Sequence, residues 1–86
     1  MNSQNKIILI TGATSGIGLS LTEIYLKDGW TVIGIGRKIT LLKSLRDLYL
    51  EKLIIIQCDL SKKENIGGTF KNILEKYPTL NSFIFN

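Results

Sequence analysis

The stretch TGATSGIG at residues 11–18 decides how this sequence folds. It follows a short apolar run and precedes apolar residues at helical spacing, which places it between a strand and a helix. Glycines at such a turn let the chain reverse sharply, and they let a phosphate approach bare backbone amides at a helix N-terminus. A side chain at Gly16 would obstruct that approach, and one at Gly18 would push the helix away from the sheet. Thr14 and Ser15 add hydroxyls that can reach phosphate oxygens or cap the helix.

Short apolar runs alternate with helical patterns along the rest of the chain. Four runs predict buried strands over Ile7–Ile10, Thr31–Ile35, Leu53–Ile56 and Leu80–Phe85. Helical spacing predicts three helices between them, with inward stripes of Ile17, Leu21, Ile24 and Tyr25, then Leu41 or Leu42, Leu45, Leu48 and Tyr49, then Ile66, Phe70, Ile73, Leu74 and Tyr77. Ser61 and Glu64 match a capping box at the start of the third helix. The order predicts an α/β fold with a doubly wound parallel sheet and helices on both faces.

Length and composition exclude several classes of protein. The 86 residues allow one domain, and a content of 44% apolar residues is too high for a disordered chain. Cys58 is the single cysteine, which excludes a disulfide scaffold. The sequence contains no histidine, so the commonest general base and the commonest metal ligand are both missing. We therefore predict no metal site.

The charged residues indicate a solvated surface. Eleven basic and seven acidic residues give a formal net charge of +4, but they are interleaved along the chain and form no basic patch for nucleic acid. The longest apolar runs have four residues, whereas a helix needs roughly 20 to span a bilayer. No apolar segment of a signal peptide follows the first residues. These features predict a soluble, cytoplasmic protein that binds neither nucleic acid nor membranes.

The spacing TGxxxGxG resembles that of the short-chain dehydrogenase/reductase family, and two further positions extend the resemblance over the whole chain. Asp59 follows the third strand, where the family carries an aspartate that accepts a hydrogen bond from the adenine amino group. Asn86 stands where the family begins its Asn-Asn-Ala-Gly segment. The resemblance implies a Rossmann-type domain over residues 1–86, incomplete after the fourth strand. It also implies a dinucleotide held by Gly12, Thr14, Ser15, Gly16, Ile17, Gly18, Arg37, Asp59, Leu60 and Asn86.

The residues after the second strand predict which dinucleotide is bound. Arg37 lies 19 residues beyond Gly18, near the place where an NAD site needs an acid and an NADP site needs a cation. In the family, the acid stands at the strand end, which corresponds to Gly36 here. Gly36 leaves room for a 2′-phosphate, and Arg37 with Lys38 supplies positive charge. The family's other frequent basic position corresponds to Ser15, which adds none. We predict NADP in preference to NAD.

The reacting groups of the family are missing from the sequence. The family uses a tyrosine with a lysine four residues later, whereas Tyr49 is followed by Lys52 at three, and no tyrosine here has a lysine at four. We therefore predict no catalytic residue in this chain. The resemblance implies the N-terminal, NADP(H)-binding part of a reductase that transfers hydride between NADP(H) and a carbonyl or an alcohol. We expect the 86 residues alone to be inactive.

Two alternatives remain open at this stage. The chain could be a non-enzymatic nucleotide-binding module, or it could supply half of a site that another polypeptide completes. The predicted strand Leu80–Phe85 would leave one edge uncovered, with Phe83, Ile84 and Phe85 in a row. An apolar strand edge pairs readily with another chain. The sequence thus also predicts self-association through this edge.

Overall fold

Strands and helices alternate along the chain in the computed structural model, which describes residues 6–14 and 16–84. In chain order the elements are β1 (Ile7–Thr11), α1 (Gly16–Lys27), β2 (Thr31–Gly36), α2 (Thr40–Tyr49), a short 3₁₀ helix (Leu50–Lys52), β3 (Leu53–Gln57), α3 (Lys63–Lys76) and β4 (Ser82–Ile84). All neighbouring strands are parallel, and their order is β3-β2-β1-β4. The predicted α/β fold with a parallel sheet is confirmed.

The sheet is covered by helices on both faces. Successive side chains of β1 point to opposite faces, so Ile8 and Ile10 lie on one face and Leu9 on the other. The first face carries α1 and α2, and its buried residues are Ile8, Ile10, Ala13, Leu26, Val32, Leu42, Leu45 and Leu53. The second face carries α3, and its buried residues are Leu9, Ile33, Ile35 and Ile73. Because burial of one such aliphatic side chain contributes about 1.5–3 kcal/mol, apolar packing holds both helical layers on the sheet.

The buried stripe of α1 differs from the predicted one. Ile17 and Ile24 are 70% and 58% exposed, whereas Gly18, Thr22 and Leu26 are buried against the sheet. The Thr22 hydroxyl donates a 2.8 Å hydrogen bond to the Gly18 carbonyl, so its burial leaves no unsatisfied polar group. Leu21 and Tyr25 of the predicted stripe do pack against the core. The inward face of α1 thus combines large apolar residues with Gly18 and Thr22, which a search for large apolar residues misses.

The apolar stripes of α2 and α3 are narrower than predicted. In α2, Leu42 and Leu45 are buried, but Leu48 is 75% exposed. In α3, Ile73 is buried, whereas Ile66 and Leu74 are exposed. Each of these helices contacts the sheet along one line of residues, and the apolar residues beside that line face outward.

Strand β4 begins two residues later than predicted. The Leu80 amide donates to the Tyr77 carbonyl, and Leu80 therefore belongs to the turn after α3. Asn81 joins the turn to β1, because its amide donates to the Ile7 carbonyl at 2.9 Å and its side-chain oxygen accepts from the Ile7 amide at 2.8 Å. Phe85, the last residue of the predicted strand, lies outside the described residues.

Within residues 6–14 and 16–84, no helix has both the length and the apolar character needed to cross a membrane.

Candidate functional site

A cleft of about 940 Å³ opens where β1, β2 and β3 end. It is lined by Thr11, Gly12, Thr14, Ile35, Gly36, Arg37, Lys38, Thr40, Leu41, Cys58, Asp59, Leu60, Ser61, Ile66 and Phe70. Most of these residues come directly after a strand, because the carboxyl ends of parallel strands meet at one edge of the sheet. Ligands of open α/β sheets bind at this edge. The fold thus brings three loops that are distant in sequence to one cleft.

The glycine turn connects β1 to α1 beside this cleft. Gly12 and Gly16 have φ angles of 61° and 52°, in the left-handed region that favours glycine. A Cβ atom at Gly16 would meet no atom of the described residues within 4 Å. The packing of the protein does not require a glycine there, and the open space lies at the first residue of α1. This geometry fits a phosphate group at the helix N-terminus.

The loop after β2 presents two cations to the cleft. Arg37 and Lys38 are exposed and line it. The side-chain amide of Gln57 donates to the Arg37 carbonyl at 2.9 Å, and the Cys58 amide donates to the Gly36 carbonyl at 3.0 Å. These bonds from the neighbouring strand hold the main chain of the loop while the Arg37 side chain stays accessible. The sequence analysis missed Gln57, because strand register alone decides which residue lies beside Arg37.

The glycine turn occupies the place that a side chain at position 36 would take. A Cβ atom built at Gly36 would collide with Thr14 Cγ2 and would lie 2.9 Å from Thr14 Oγ1. The absence of a side chain at Gly36 thus makes room for Thr14. Gly36 still lines the cleft, and the room that it leaves for a 2′-phosphate stays a prediction.

Asp59 is held at the cleft by a tight turn. The Ser61 hydroxyl and the Ser61 amide both donate to Asp59 Oδ1, at 2.6 and 3.0 Å. These two hydrogen bonds are the main reason that the pKa of the Asp59 carboxyl lies below its ordinary value. Desolvation opposes them, and the charges of Arg37 and Lys62 add smaller lowering effects. The carboxylate is thus ionised at neutral pH and can accept a hydrogen bond from a ligand amino group.

The predicted capping box at the start of α3 does not form. The helix begins at Lys63, its N-cap residue is Lys62, and no side chain caps it. The Ser61 hydroxyl is bonded to Asp59 instead. The ionised carboxylate accepts the proton of this hydroxyl in a strong hydrogen bond, which holds the Ser61 side chain in the Asp59 turn, and no amide of α3 is capped by it.

The predicted site residues fall into three groups. Gly12, Thr14, Arg37, Asp59 and Leu60 line the cleft together. Gly16, Ile17 and Gly18 form the first turn of α1, where Ile17 is exposed and Gly18 is buried. Ser15 and Asn86 lie outside the described residues. The cleft also contains residues that the sequence analysis did not single out for it, namely Thr40, Leu41, Ser61, Ile66 and Phe70.

The single cysteine has a structural contact. Cys58 Sγ lies 3.3 Å from the Thr69 hydroxyl of α3, half-buried at the end of β3. The described part of the chain contains no group of three or more His, Cys, Asp or Glu side chains that could hold a metal ion.

The sequence was compared with protein families and with individual relatives. The family model for short chain dehydrogenases matches residues 6–86. The chain belongs to this family. It is 32% identical over 85 residues to a farnesol dehydrogenase of Aedes aegypti, covering 94% of this chain and 35% of that protein. It is 36% identical over 84 residues to a 3beta-hydroxysteroid dehydrogenase of Mediterraneibacter gnavus, covering 94% and 30%. The chain thus spans about a third of the length of these relatives.

Solved structures of dehydrogenases have the same fold over this length. A short-chain dehydrogenase from Streptomyces avermitilis matches 91% of this chain and 29% of its own, with a TM-score of 0.83 and 31% identity. A serine dehydrogenase complexed with NADP+ matches 90% and 31%, with a TM-score of 0.76 and 28% identity. A 4-hydroxyisoleucine dehydrogenase complexed with NADH matches 84% and 30%, with a TM-score of 0.74 and 36% identity. Similar proteins thus bind either dinucleotide, and any preference of this chain depends on its own residues.

Proposed function

We propose that this chain binds NADP(H), in preference to NAD(H), as the nucleotide-binding part of a short-chain reductase. The observation that carries the proposal is the position of Arg37. It is an exposed cation at the cleft, directly after β2, and its main chain is fixed by Gln57. A cation there fits the 2′-phosphate that distinguishes NADP from NAD. No acidic residue of the loop after β2 competes for the same place.

The other cleft residues fit the remaining parts of the dinucleotide. The open first turn of α1 at Gly16 and Ile17 would take the pyrophosphate. Asp59 would accept a hydrogen bond from the adenine amino group, and Leu60 would pack beside the ring. When bound, the cofactor supplies a nicotinamide that exchanges hydride with a carbonyl or an alcohol. The residues described here bind and orient its nucleotide end.

The chain is expected to bind the cofactor without turning over a substrate. No tyrosine in the sequence is followed by a lysine at four residues, so the proton-transfer pair that the family resemblance implies would come from residues outside these 86. We further propose a cytoplasmic location, which a lone cysteine supports.

Substitution of Arg37 tests the cofactor preference. We expect Arg37→Ala to weaken NADPH binding about ten- to a hundredfold, because a charge-assisted hydrogen bond contributes about 1.5–3 kcal/mol. NADH binding should change little. Both dissociation constants can be measured by isothermal titration calorimetry.

A matched control separates this contact from a general charge effect. Arg46→Ala removes the same charge from an exposed position in the last turn of α2, outside the cleft lining. It should leave both affinities unchanged. Equal NADPH and NADH affinities in the unmodified chain, or equal losses in Arg37→Ala and Arg46→Ala, would show that the proposed preference is wrong.

We also propose that the chain associates through the side of β4 that faces away from β1. This strand stands at one end of the described sheet, and Phe83 within it is 49% exposed. Strands at a sheet end readily pair with a strand of another chain.

A further inference from the structure

The glycine turn rests on the end of β2 through two successive contacts. The Ala13 amide donates to the Ile35 carbonyl at 3.1 Å, which holds the turn over the strand. Gly34 and Gly36 stand two residues apart on β2 and therefore face the same side of the sheet. A Cβ atom at Gly34 would lie 3.2 Å from Ala13 Cβ, and one at Gly36 would collide with Thr14. The absence of side chains at the two glycines thus makes room for Ala13 and Thr14.

The contact at Gly36 cannot be relieved by a small adjustment of one atom. A Cβ atom there would be too close to Thr14 Cγ2, 2.9 Å from Oγ1 and 3.2 Å from Cβ. Optimal separations between nonbonded carbon atoms are about 3.5–4.0 Å. Turning the threonine side chain moves its two γ atoms but leaves its Cβ in place. Any side chain at position 36 therefore collides with the γ atoms of Thr14. Removal of those atoms leaves only the 3.2 Å contact with Cβ, which a shift of a few tenths of an ångström relieves.

We propose that Thr14 and Gly36 together determine the cofactor specificity, because Thr14 closes position 36 to an acidic side chain. In an NAD site, an acid near this place accepts a hydrogen bond from the ribose 2′-hydroxyl. Here such an acid would displace Thr14, and with it the turn that fits the phosphates. The inference rests on the proposed binding of a dinucleotide, and it deepens the role given to Arg37. Specificity is set by the steric pair of residues 14 and 36 as well as by the cation beside it.

The proposal predicts that a single substitution cannot convert the site. Gly36→Asp should weaken the binding of both NADPH and NADH and should lower the thermal unfolding midpoint by roughly 5 °C or more, as overpacking does. The double variant Thr14→Ala/Gly36→Asp should recover most of the midpoint. It should also bind NADH about tenfold more tightly than Gly36→Asp alone, because the new carboxylate can then face the ribose.

A second threonine of the cleft provides the matched control. Thr40 lines the cleft but makes none of the close contacts at Gly36, so Thr40→Ala/Gly36→Asp should behave like Gly36→Asp. Gly36→Ala is a milder substitution in case the aspartate prevents folding. Its unfolding midpoint should also fall, and Thr14→Ala should restore it.

Two results would overturn the proposal. One is that Gly36→Asp alone binds NADH more tightly than the unmodified chain at an unchanged midpoint. The other is that the effects of Thr14→Ala and of the Gly36 substitutions on the midpoint simply add. If neither the unmodified chain nor any variant binds NADPH or NADH, the proposed function is wrong. The unfolding midpoints then still show whether residues 14 and 36 are sterically coupled.

Discussion

At the scale of single residues, the turn that holds Asp59 depends on the charge of its carboxylate. Two hydrogen bonds from Ser61, then Arg37 and Lys62, keep the pKa of Asp59 below its ordinary value. Ionisation of the Asp59 carboxyl therefore stabilises the folded chain relative to the unfolded chain. The stabilisation by ionised Asp59 is fully present above the pKa that Asp59 has in the unfolded chain. It is lost as the pH falls through the lower pKa that Asp59 has in the folded chain. Acid should thus loosen the Asp59 turn.

Ser61→Ala should raise the pKa of Asp59 toward its ordinary value. The substitution removes the 2.6 Å bond from the hydroxyl, which is the largest cause of the shift, and keeps the bond from the amide. The pKa can be measured from the carboxyl ¹³C shift in an NMR titration. Asn65→Ala is the control, because Asn65 bonds the main-chain carbonyl of Asp59 and leaves the carboxylate untouched. An unchanged pKa in Ser61→Ala, or an equal rise in Asn65→Ala, would contradict the assignment.

Single residues of the cleft also differ in whether the sequence predicts them. Gly12 and Thr14 were predicted from the glycine turn, Arg37 from its place after the second strand, and Asp59 and Leu60 from the family resemblance; these five residues meet in one cleft. The residues that hold them were not predicted. The partner of Arg37 is decided by the register between β2 and β3. The hydroxyl of Ser61 can donate to a carboxylate and accept from a helix amide, and the geometry of the turn decides that it bonds to Asp59 and caps no amide of α3.

At the scale of elements, the end of α2 contains a strained residue. Leu50 has φ and ψ angles of 53° and −127°, a region that side chains rarely occupy and that costs about 1–3 kcal/mol. Leu50 is 62% exposed, so little burial offsets this cost. Leu50→Gly should therefore increase the free energy of unfolding by about 1 kcal/mol, after the greater freedom of glycine in the unfolded chain is subtracted. Urea unfolding measures this change.

Substitution of Leu48 provides a control, because glycine there should change the free energy of unfolding in the opposite direction. It is 75% exposed within the regular part of α2, where glycine costs about 1 kcal/mol relative to a good helix former. Leu48→Gly should destabilise the chain while Leu50→Gly stabilises it. If both substitutions destabilise, the backbone at Leu50 is not strained.

Patterns of apolar residues predict the strands of this chain better than they predict the inward faces of its helices. Continuous β-branched runs predicted β1, β2 and β3 because buried parallel strands need apolar side chains on both faces. The pattern was wrong for Ile17 and Ile24 of α1, which are exposed, and it missed the small residues Gly18 and Thr22, which face the sheet. A helix with apolar residues on two sides has two candidate inward faces. The size of the gap above the sheet selects between them, and that gap is a property of the packed structure.

At the scale of the whole molecule, the layers around the sheet are unequal. In the described part of the chain, two helices cover the first face and one covers the second. Near the second face, Ile66 and Leu74 of α3 and Phe83 of β4 remain exposed. A domain of this size buries only somewhat more than about 60% of the surface of its unfolded chain. Burial of this apolar surface on association would therefore add to the stability of the chain.

Phe83→Lys should weaken self-association at least about tenfold, because a charge on a terminal strand opposes pairing and the two copies would carry like charges. Sedimentation velocity over a range of concentrations measures the change, and circular dichroism verifies that the variant stays folded. Leu48→Lys is the control, since it places the same charge on an exposed apolar residue of α2. An unmodified chain that stays monomeric at every concentration would contradict the proposal. Equal weakening by both variants would show that association uses apolar surface in general and not the side of β4.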